Sequence, residues 1–583
     1  MKSKSTPYNE LVEVLISFKR AFRTVGVFSA VINLLMLMPA LYMMQLYDSV
    51  VTSRNEMTLL MLTLIALGAY IFMGALEYIR SLVLIRVGAQ FDLKMNKRIY
   101  TAAFEQSLRQ GNSNAGQALQ DLTNIRQFLT GHALFAFFDA PWFPVFLIVI
   151  FLFNAWMGVF ALFGTIVIVL LAYINEKVSH KPLAEANAMA ATSNTLATNN
   201  LRNAEVIEAM GMLPNLQARW FKLHSKFLNL QAEASEKSGV VTACSKATSV
   251  AFQSLMLGLG ALLVITDDSI SPGMMIAGSI LMGRAIAPVQ ALIGVWRQIG
   301  STRSAYERLT KLLEENPDRQ SGMALPKPNG VVSVENIMAA PPGSKVPVIK
   351  GLAFAIAAGE VLGVIGPSGS GKSTLARLLV GVWPANAGKV RLDGADVYQW
   401  NKDELGPHIG YLPQDIELFA GTISENIARF GEIDSEKVIL AAKRAGVHEM
   451  ILSMPKGYDT LLGDGGGGLS GGQKQRIGLA RAMYGDPSLI VLDEPNSNLD
   501  DVGEQALLAA IIDLRKRGKT IVLITHRKSI ITASTKLLLL REGTRQMFGP
   551  TDQVLAEMSK QQQAQQALLT QRQAKEQTKE QTA

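Results

Sequence analysis

The sequence predicts a multi-domain membrane protein, with a domain of six membrane-spanning helices followed by an α/β nucleotide-binding domain. Two observations carry this. Six apolar runs lie between Thr24 and Trp296, roughly at 24–47, 57–79, 133–153, 156–175, 247–266 and 272–296. Each is about as long as the 20 or so apolar residues that cross a bilayer as a helix. Downstream, Gly366–Thr374 reads GPSGSGKST directly after the apolar run VLGVI. That is the order strand, glycine-rich loop, helix, which cradles phosphates.

The third and fourth runs abut around Asn154-Ala155-Trp156, which fits a helical hairpin. Pro141 and Pro144 at the head of the third run mark a kink or a helix start. Basic residues cluster in the N-terminal segment (Lys2, Lys4, Lys19, Arg20, Arg23). They cluster again after the second run (Arg80 to Arg126) and after the fourth (Lys177 to Lys246). The short connections on the other side offer Arg54 and little else that is basic. The positive-inside rule then places both termini and the two long segments in the cytoplasm. The net charge of +8 follows from these loops and calls for no nucleic-acid partner. The first run is too long for a signal-peptide core and lacks an evident cleavage site, so it is expected to stay. Arg284 in the sixth run is costly in lipid. It is expected to face a wet cavity or to pair with a carboxylate. Asp139, at the head of the third run, is expected near the cytoplasmic edge, either lining a path or serving as a structural partner.

In the loop, glycines let backbone N–H groups wrap phosphates at the positive end of the following helix. Gly366, Pro367, Ser368, Gly369, Ser370, Gly371 and Thr374 form this cradle. Lys372 is expected to reach the β- and γ-phosphates of a nucleotide, and the Ser373 hydroxyl to bind Mg²⁺. The single Cys244 rules out an intrachain disulfide, and the six histidines show no metal-ligand spacing.

The run Leu469–Gln473, LSGGQ, changes a generic P-loop into a resemblance. It is the signature of the ABC-transporter ATPases. The resemblance implies roles for further residues. Gln414 in YLPQD matches the Q-loop, which senses Mg²⁺ and the attacking water. In LIVLDE, Asp493 matches the aspartate that holds Mg²⁺ and Glu494 the catalytic glutamate. Asn498-Leu499-Asp500 resembles the D-loop, with Asp500 near nucleotide, and His526 matches the histidine that contacts the γ-phosphate. Ser470, Gly471, Gly472 and Gln473 would cap ATP held by the Lys372 of a second copy, which implies a homodimer. One departure is visible. Pro341 in IMAAPPGSKVP stands where related domains place an aromatic ring against adenine.

The membrane half extends the resemblance. YDSVVTSRNEMTLLMLT (Tyr47–Thr63), FFDAPWFPVFLIVIFLF (Phe137–Phe153) and NAEVIEAMGM (Asn203–Met212) look like the type I secretion ABC exporters. Within these the chain is most similar to the group exporting proteases, lipases and haem-binding proteins. This implies the type I ABC exporter architecture and a Gram-negative inner-membrane location. It also implies a periplasmic adaptor, an outer-membrane channel and an unfolded protein cargo with a C-terminal signal. Only about 23 residues precede the first run, which disfavours the branches with an N-terminal peptidase-like domain. Docking turns are expected near Gly111–Gln117 and Glu208–Leu213. A lipid or drug flippase on the same scaffold stays open, as does an ATP-gated channel or regulatory subunit, which intact Glu494 and His526 disfavour. Six spans exclude a soluble ABC ATPase. The expected domains are a cytoplasmic segment 1–23, a membrane domain 24–304, a linker 305–330, a nucleotide-binding domain 331–558 and a Gln-rich tail 559–583.

Overall fold

The computed structural model describes residues 10–110, 115–266, 270–318, 324–344 and 346–561. The chain divides into two compact units, one of Met1–Gln106 with Ser113–Asp318, the other of Ser107–Asn112 with Arg319–Ala583.

In the first unit, six helical segments are long and apolar enough to cross a membrane: Lys19–Ser53, Glu56–Gln110, His132–Phe153, Ala155–Arg202, Leu213–Thr266 and Pro272–Trp296. Each overlaps one expected run. Three of the helices, of 55, 48 and 54 residues, far outrun a bilayer, since at 1.5 Å per residue each is about 70–80 Å long. The expected extension of spans into long helices is therefore present. The hairpin between the third and fourth spans turns at Asn154, whose side chain accepts from the Trp156 N–H at 2.8 Å and caps the fourth helix. Pro141 sits in a single 3₁₀ turn, Ala140–Trp142, and Pro144 in the first turn of the helix Phe143–Phe153. A break falls at Met210–Met212, where Gly211 takes φ +63° between helices Ala204–Ala209 and Leu213–Thr266. This is one of the two expected turns; in the other, Gly111–Asn114 lie outside the described residues.

The sixth helix continues past Trp296 to Glu315. The first part of the segment expected as a linker is therefore helix, and the units part after Asp318. Of the Gln-rich tail, residues 562–583 lie outside the described residues.

Two polar latches organise the spans. At one, the Asp48 carboxylate accepts from Ser271 Oγ at 2.5 Å and from the Gly273 N–H at 2.8 Å. It thus serves orphan donors at the start of the sixth helix. At the other, Arg80, only 3% exposed, donates to Asp139 at 3.1 Å and to Ser29 Oγ at 2.9 Å. Its guanidinium lies 4.3 Å from the centre of the Phe135 ring, and Asn33 Nδ2 donates to the same carboxylate oxygen at 2.9 Å. Asp139 is thus a structural partner joining the first three spans. Arg284 is half-buried. Among the described residues no carboxylate lies within ion-pair distance of it, so the expected pairing is not found there. Small residues bring the helices close: a Cβ on Gly164 would come within 2.4 Å of Met282 Cε, and one on Gly278 within 2.2 Å of Met157 Cε.

The second unit is an α/β domain. Its strands are β1 (Val332–Ala339), β2 (Ile349–Ile356), β3 (Val361–Ile365), β4 (Ala387–Leu392), β5 (Ala395–Asp396), β6 (Ile409–Leu412), β7 (Gly421–Thr422), β8 (Leu461–Leu462), β9 (Leu489–Asp493), β10 (Thr520–Ile524), β11 (Lys536–Arg541) and β12 (Thr544–Pro550). An antiparallel sheet runs β2-β1-β4-β5, and the main sheet runs β12-β11-β3-β10-β9-β6. From β11 to β6 every pairing in the main sheet is parallel. Strands β3, β9 and β10 are buried at every residue. Continuous apolar runs such as VLGVI and TIVLI are what a parallel sheet covered on both faces demands. Two apolar clusters flank this sheet, one around Leu375, Leu379, Leu489 and Val491, the other around Ile477, Ile490, Leu492 and Leu507.

Candidate functional site

Four neighbouring parallel strands end at one edge. The loop Gly366–Gly371 follows β3, His526 follows β10, Glu494 follows β9 and Gln414 follows β6. In an open α/β sheet the carboxyl ends of the strands are where ligands bind. The topology therefore collects residues that lie up to 160 positions apart in sequence.

Glycine is required in the loop at two places. A Cβ on Gly366 would lie 2.2 Å from the Leu540 carbonyl oxygen, and Gly371 has φ +97° with Ile349 Cδ1 2.7 Å from its absent Cβ. The helix Lys372–Leu379 begins at once after it. Lys372 is 7% exposed and donates to the carbonyls of Gly366 at 2.8 Å and Pro367 at 3.0 Å. Burial lowers its pKa, while the nearby carboxylates of Glu494 and Asp493 act the other way. Asp493 is 2% exposed. Its burial raises its pKa, and a hydrogen bond from Ser373 opposes that rise. Two buried side-chain oxygens here have no protein partner, Ser370 Oγ and Asp493 Oδ1. Buried polar atoms almost always find one. A hydroxyl beside a carboxylate with a free oxygen suits a Mg²⁺ that takes its other ligands from phosphates and water. The described residues hold no cluster of three or more His, Cys, Asp or Glu side chains that could cage a metal alone.

Glu494 is at the centre of the site. Its backbone is left-handed, φ +51°, and its N–H donates to the Ile524 carbonyl at 2.9 Å. One carboxylate oxygen lies 3.4 Å from Gln414 Nε2 and the other 3.7 Å from His526 Nε2. The three residues expected to be catalytic are thus brought together. Glu494, Asn496, Ser497, His526 and Arg527 line a cavity of about 300 Å³. Thr525 Oγ1 donates to Asn496 Oδ1 at 3.0 Å beneath it.

The signature segment starts a helix, Gly471–Met483, capped by a reciprocal pair. The Gln473 N–H donates to Ser470 Oγ at 3.3 Å, and the Ser470 N–H to Gln473 Oε1 at 2.8 Å. This is the capping box, which leaves glycines at the first two helical positions. Gly472 must be glycine, since a Cβ there would lie 2.7 Å from the Asn498 carbonyl oxygen. Among the described residues no hydrogen bond or ion pair joins Ser470–Gln473 to Gly366–Thr374. Asp500 caps the helix Asp501–Lys516 by accepting from the Gly503 N–H at 2.9 Å, and it pairs with Arg476. The Gly503 bond and Arg476 hold its pKa down. Pro341 opens a turn in which the Ser344 N–H bonds its carbonyl at 3.0 Å.

Two residues escaped the sequence reading. Gln475, 1% exposed, reaches the Glu494 carbonyl at 3.1 Å. Arg429 donates to five carbonyls, of Gly406, Ile409, Arg481, Ala482 and Tyr484, within 3.2 Å. It stitches the start of β6 to the end of the signature helix, and burial lowers its pKa to about 10. Gln475 stands two positions after LSGGQ, a signal of place though not of role, and nothing in the sequence around Arg429 sets it apart.

With this geometry in view, comparison with known proteins decides the family. The ABC transporter family matches residues 349–497, and the ABC transporter transmembrane region matches residues 22–289. The type I secretion system ATP-binding protein PrsD of Rhizobium meliloti is 44% identical over 94% of both chains. The chain belongs to the type I secretion ABC exporters. The cyclolysin secretion/processing ATP-binding protein CyaB of Bordetella pertussis is 28% identical over 94% of this chain and 78% of its own. The leukotoxin translocation ATP-binding protein LktB of Mannheimia haemolytica is 27% identical over 91% and 76%. A bacterial Atm1-family ABC exporter solved with ATP bound superposes with a TM-score of 0.80, covering 94% of this chain and 98% of that one at 24% identity. That likeness concerns the fold: six spans and an ABC ATPase domain. As a member of this family, the exporter binds ATP and couples its hydrolysis to transport.

Proposed function

We propose that this exporter is the ATP-driven inner-membrane component of a type I secretion machine. It moves unfolded proteins bearing a C-terminal signal out of the cell. It works as a homodimer, with both termini in the cytoplasm, together with a periplasmic membrane-fusion adaptor and an outer-membrane channel. The reading rests on the 44% identity to PrsD, which runs through the membrane half as well as the ATPase. ATPase motifs alone are shared by every ABC protein.

The geometry supports a division of labour. Lys372 and the loop N–H groups hold the β- and γ-phosphates. Ser373, Asp493 and Gln414 would hold Mg²⁺, which when bound neutralises phosphate charge. The Glu494 carboxylate orients the attacking water and takes its proton. Gln414 donates to one of the carboxylate oxygens at 3.4 Å, and His526 flanks the other at 3.7 Å. His526 is then positioned to contact the γ-phosphate. The signature segment Ser470–Gln473, with Asp500 beyond it, meets the nucleotide on the Lys372 of the second copy. A helix N-terminus with free N–H groups is the right object to cap a γ-phosphate.

The test uses the purified exporter in phospholipid vesicles. A peptide from the C-terminus of a protein encoded beside the exporter is expected to change its ATPase rate, and the same peptide in scrambled order is not. If a cationic amphiphile stimulated turnover and no C-terminal peptide did, a flippase would replace this reading.

A further inference from the structure

Gln475 lies on the signature helix and is almost wholly enclosed. Both amide donors and the amide oxygen are used. Nε2 donates to the Glu494 carbonyl at 3.1 Å and to Ser497 Oγ at 3.3 Å, and Oε1 accepts from the Asn498 N–H at 2.9 Å. One buried side chain thus grips the segment 494–498 at three points. The grip is reinforced where Gly472 passes the Asn498 carbonyl with no room for a Cβ.

The consequence lies in the backbone of Glu494. This residue is held left-handed, a conformation a non-glycine residue keeps only when its surroundings enforce it. Its N–H is fixed to β10 through Ile524. Its carbonyl is fixed to the signature helix through Gln475. Any tilt of the helix relative to the sheet therefore turns the peptide that carries the catalytic carboxylate.

We propose that Gln475 is a positioning residue that couples the two nucleotide sites of the dimer through Glu494. The inference rests on the paired reading above. In such a pair, Ser470 of one chain faces the nucleotide held by the other copy, whereas Glu494 of that same chain serves its own nucleotide. Engagement of the signature at one site then draws the helix, and Gln475 passes the movement to the carboxylate at the other. A core-filling amide would predict only a loss of stability.

Steady-state ATPase of the full-length exporter in vesicles separates these roles. Gln475→Met keeps the volume and removes all three hydrogen bonds. It is expected to lower kcat by about 10²-fold, the scale of a 1 Å misplacement. KM and trinitrophenyl-ATP binding should stay within about twofold, the split expected when only transition-state interactions are lost. The Hill coefficient for ATP should fall towards unity. Gln475→Glu keeps the acceptor for the Asn498 N–H and loses both donations. It gives the same readouts should the Met variant fail to fold. Wild-type kcat and cooperativity in either folded variant would overturn the proposal. So would a fall in kcat with undiminished cooperativity. A wild-type exporter that is monomeric in ATP and non-cooperative would instead overturn the paired reading itself, and this inference with it.

Discussion

Glu494→Gln is expected to lower the ATPase rate by about 10²–10⁴-fold, the range a positioned general base supplies. ATP binding should be retained. The substitution keeps size and shape, so the approaches to Gln414 at 3.4 Å and His526 at 3.7 Å survive. The left-handed backbone is unaffected too, because Ile524 and Gln475 hold the Glu494 N–H and carbonyl rather than its side chain. What disappears is the negative charge proposed above to take the proton from water. Lys372 loses one of the two carboxylates that face it, which should leave its hold on phosphate intact. The variant should therefore accumulate as an ATP-bound dimer that size-exclusion chromatography resolves, with secretion stopped. Turnover within a few-fold of wild type would remove Glu494 from its assigned role.

The second large effect is expected in the membrane unit. Arg80→Met or Asp139→Leu alone should destabilise the exporter by about 3 kcal/mol, because each removes one partner of a largely buried pair, although Arg80 keeps Glu77 at 3.8 Å. Arg80 is 3% exposed and has no water to retreat to. Asp139 also accepts from Asn33, so Arg80→Met leaves a carboxylate with one remaining donor. The double variant, Arg80→Met with Asp139→Leu, should lose clearly less than the two single losses added together. Thermal unfolding in detergent micelles reads the difference. Additive losses would mean that the pair does not act as a unit.

This latch also shows what the sequence could and could not disclose. Asp139 is conspicuous in an apolar run, yet its partner lies 59 residues away on another helix, and no local pattern names it. The spans were legible because bilayer thickness fixes their length and apolarity. The sixth helix runs on to Glu315, as the helical character of Ser304–Glu315 ahead of the Pro- and Gly-rich stretch indicates, so only the boundary of the linker was misplaced. That the P-loop, Glu494 and His526 share one edge was legible because each follows an apolar strand, and parallel strands deliver their carboxyl ends together. Asp500 was expected from sequence near the nucleotide, and within one chain the structure shows it as a helix cap. The role of Gln475 was invisible because its hydrogen bonds go to two backbone groups and one hydroxyl that only folding brings near it.

The central claim is that two copies share each nucleotide, one giving Lys372 and the other Ser470. It is tested most directly by mixing two inactive exporters, Lys372→Ala and Ser470→Arg. In a mixed dimer one composite site has both lesions and the other has none. The account predicts negligible ATPase from each variant alone and clear recovery on co-assembly. No recovery in verified mixed dimers, or full activity of Ser470→Arg by itself, would contradict it.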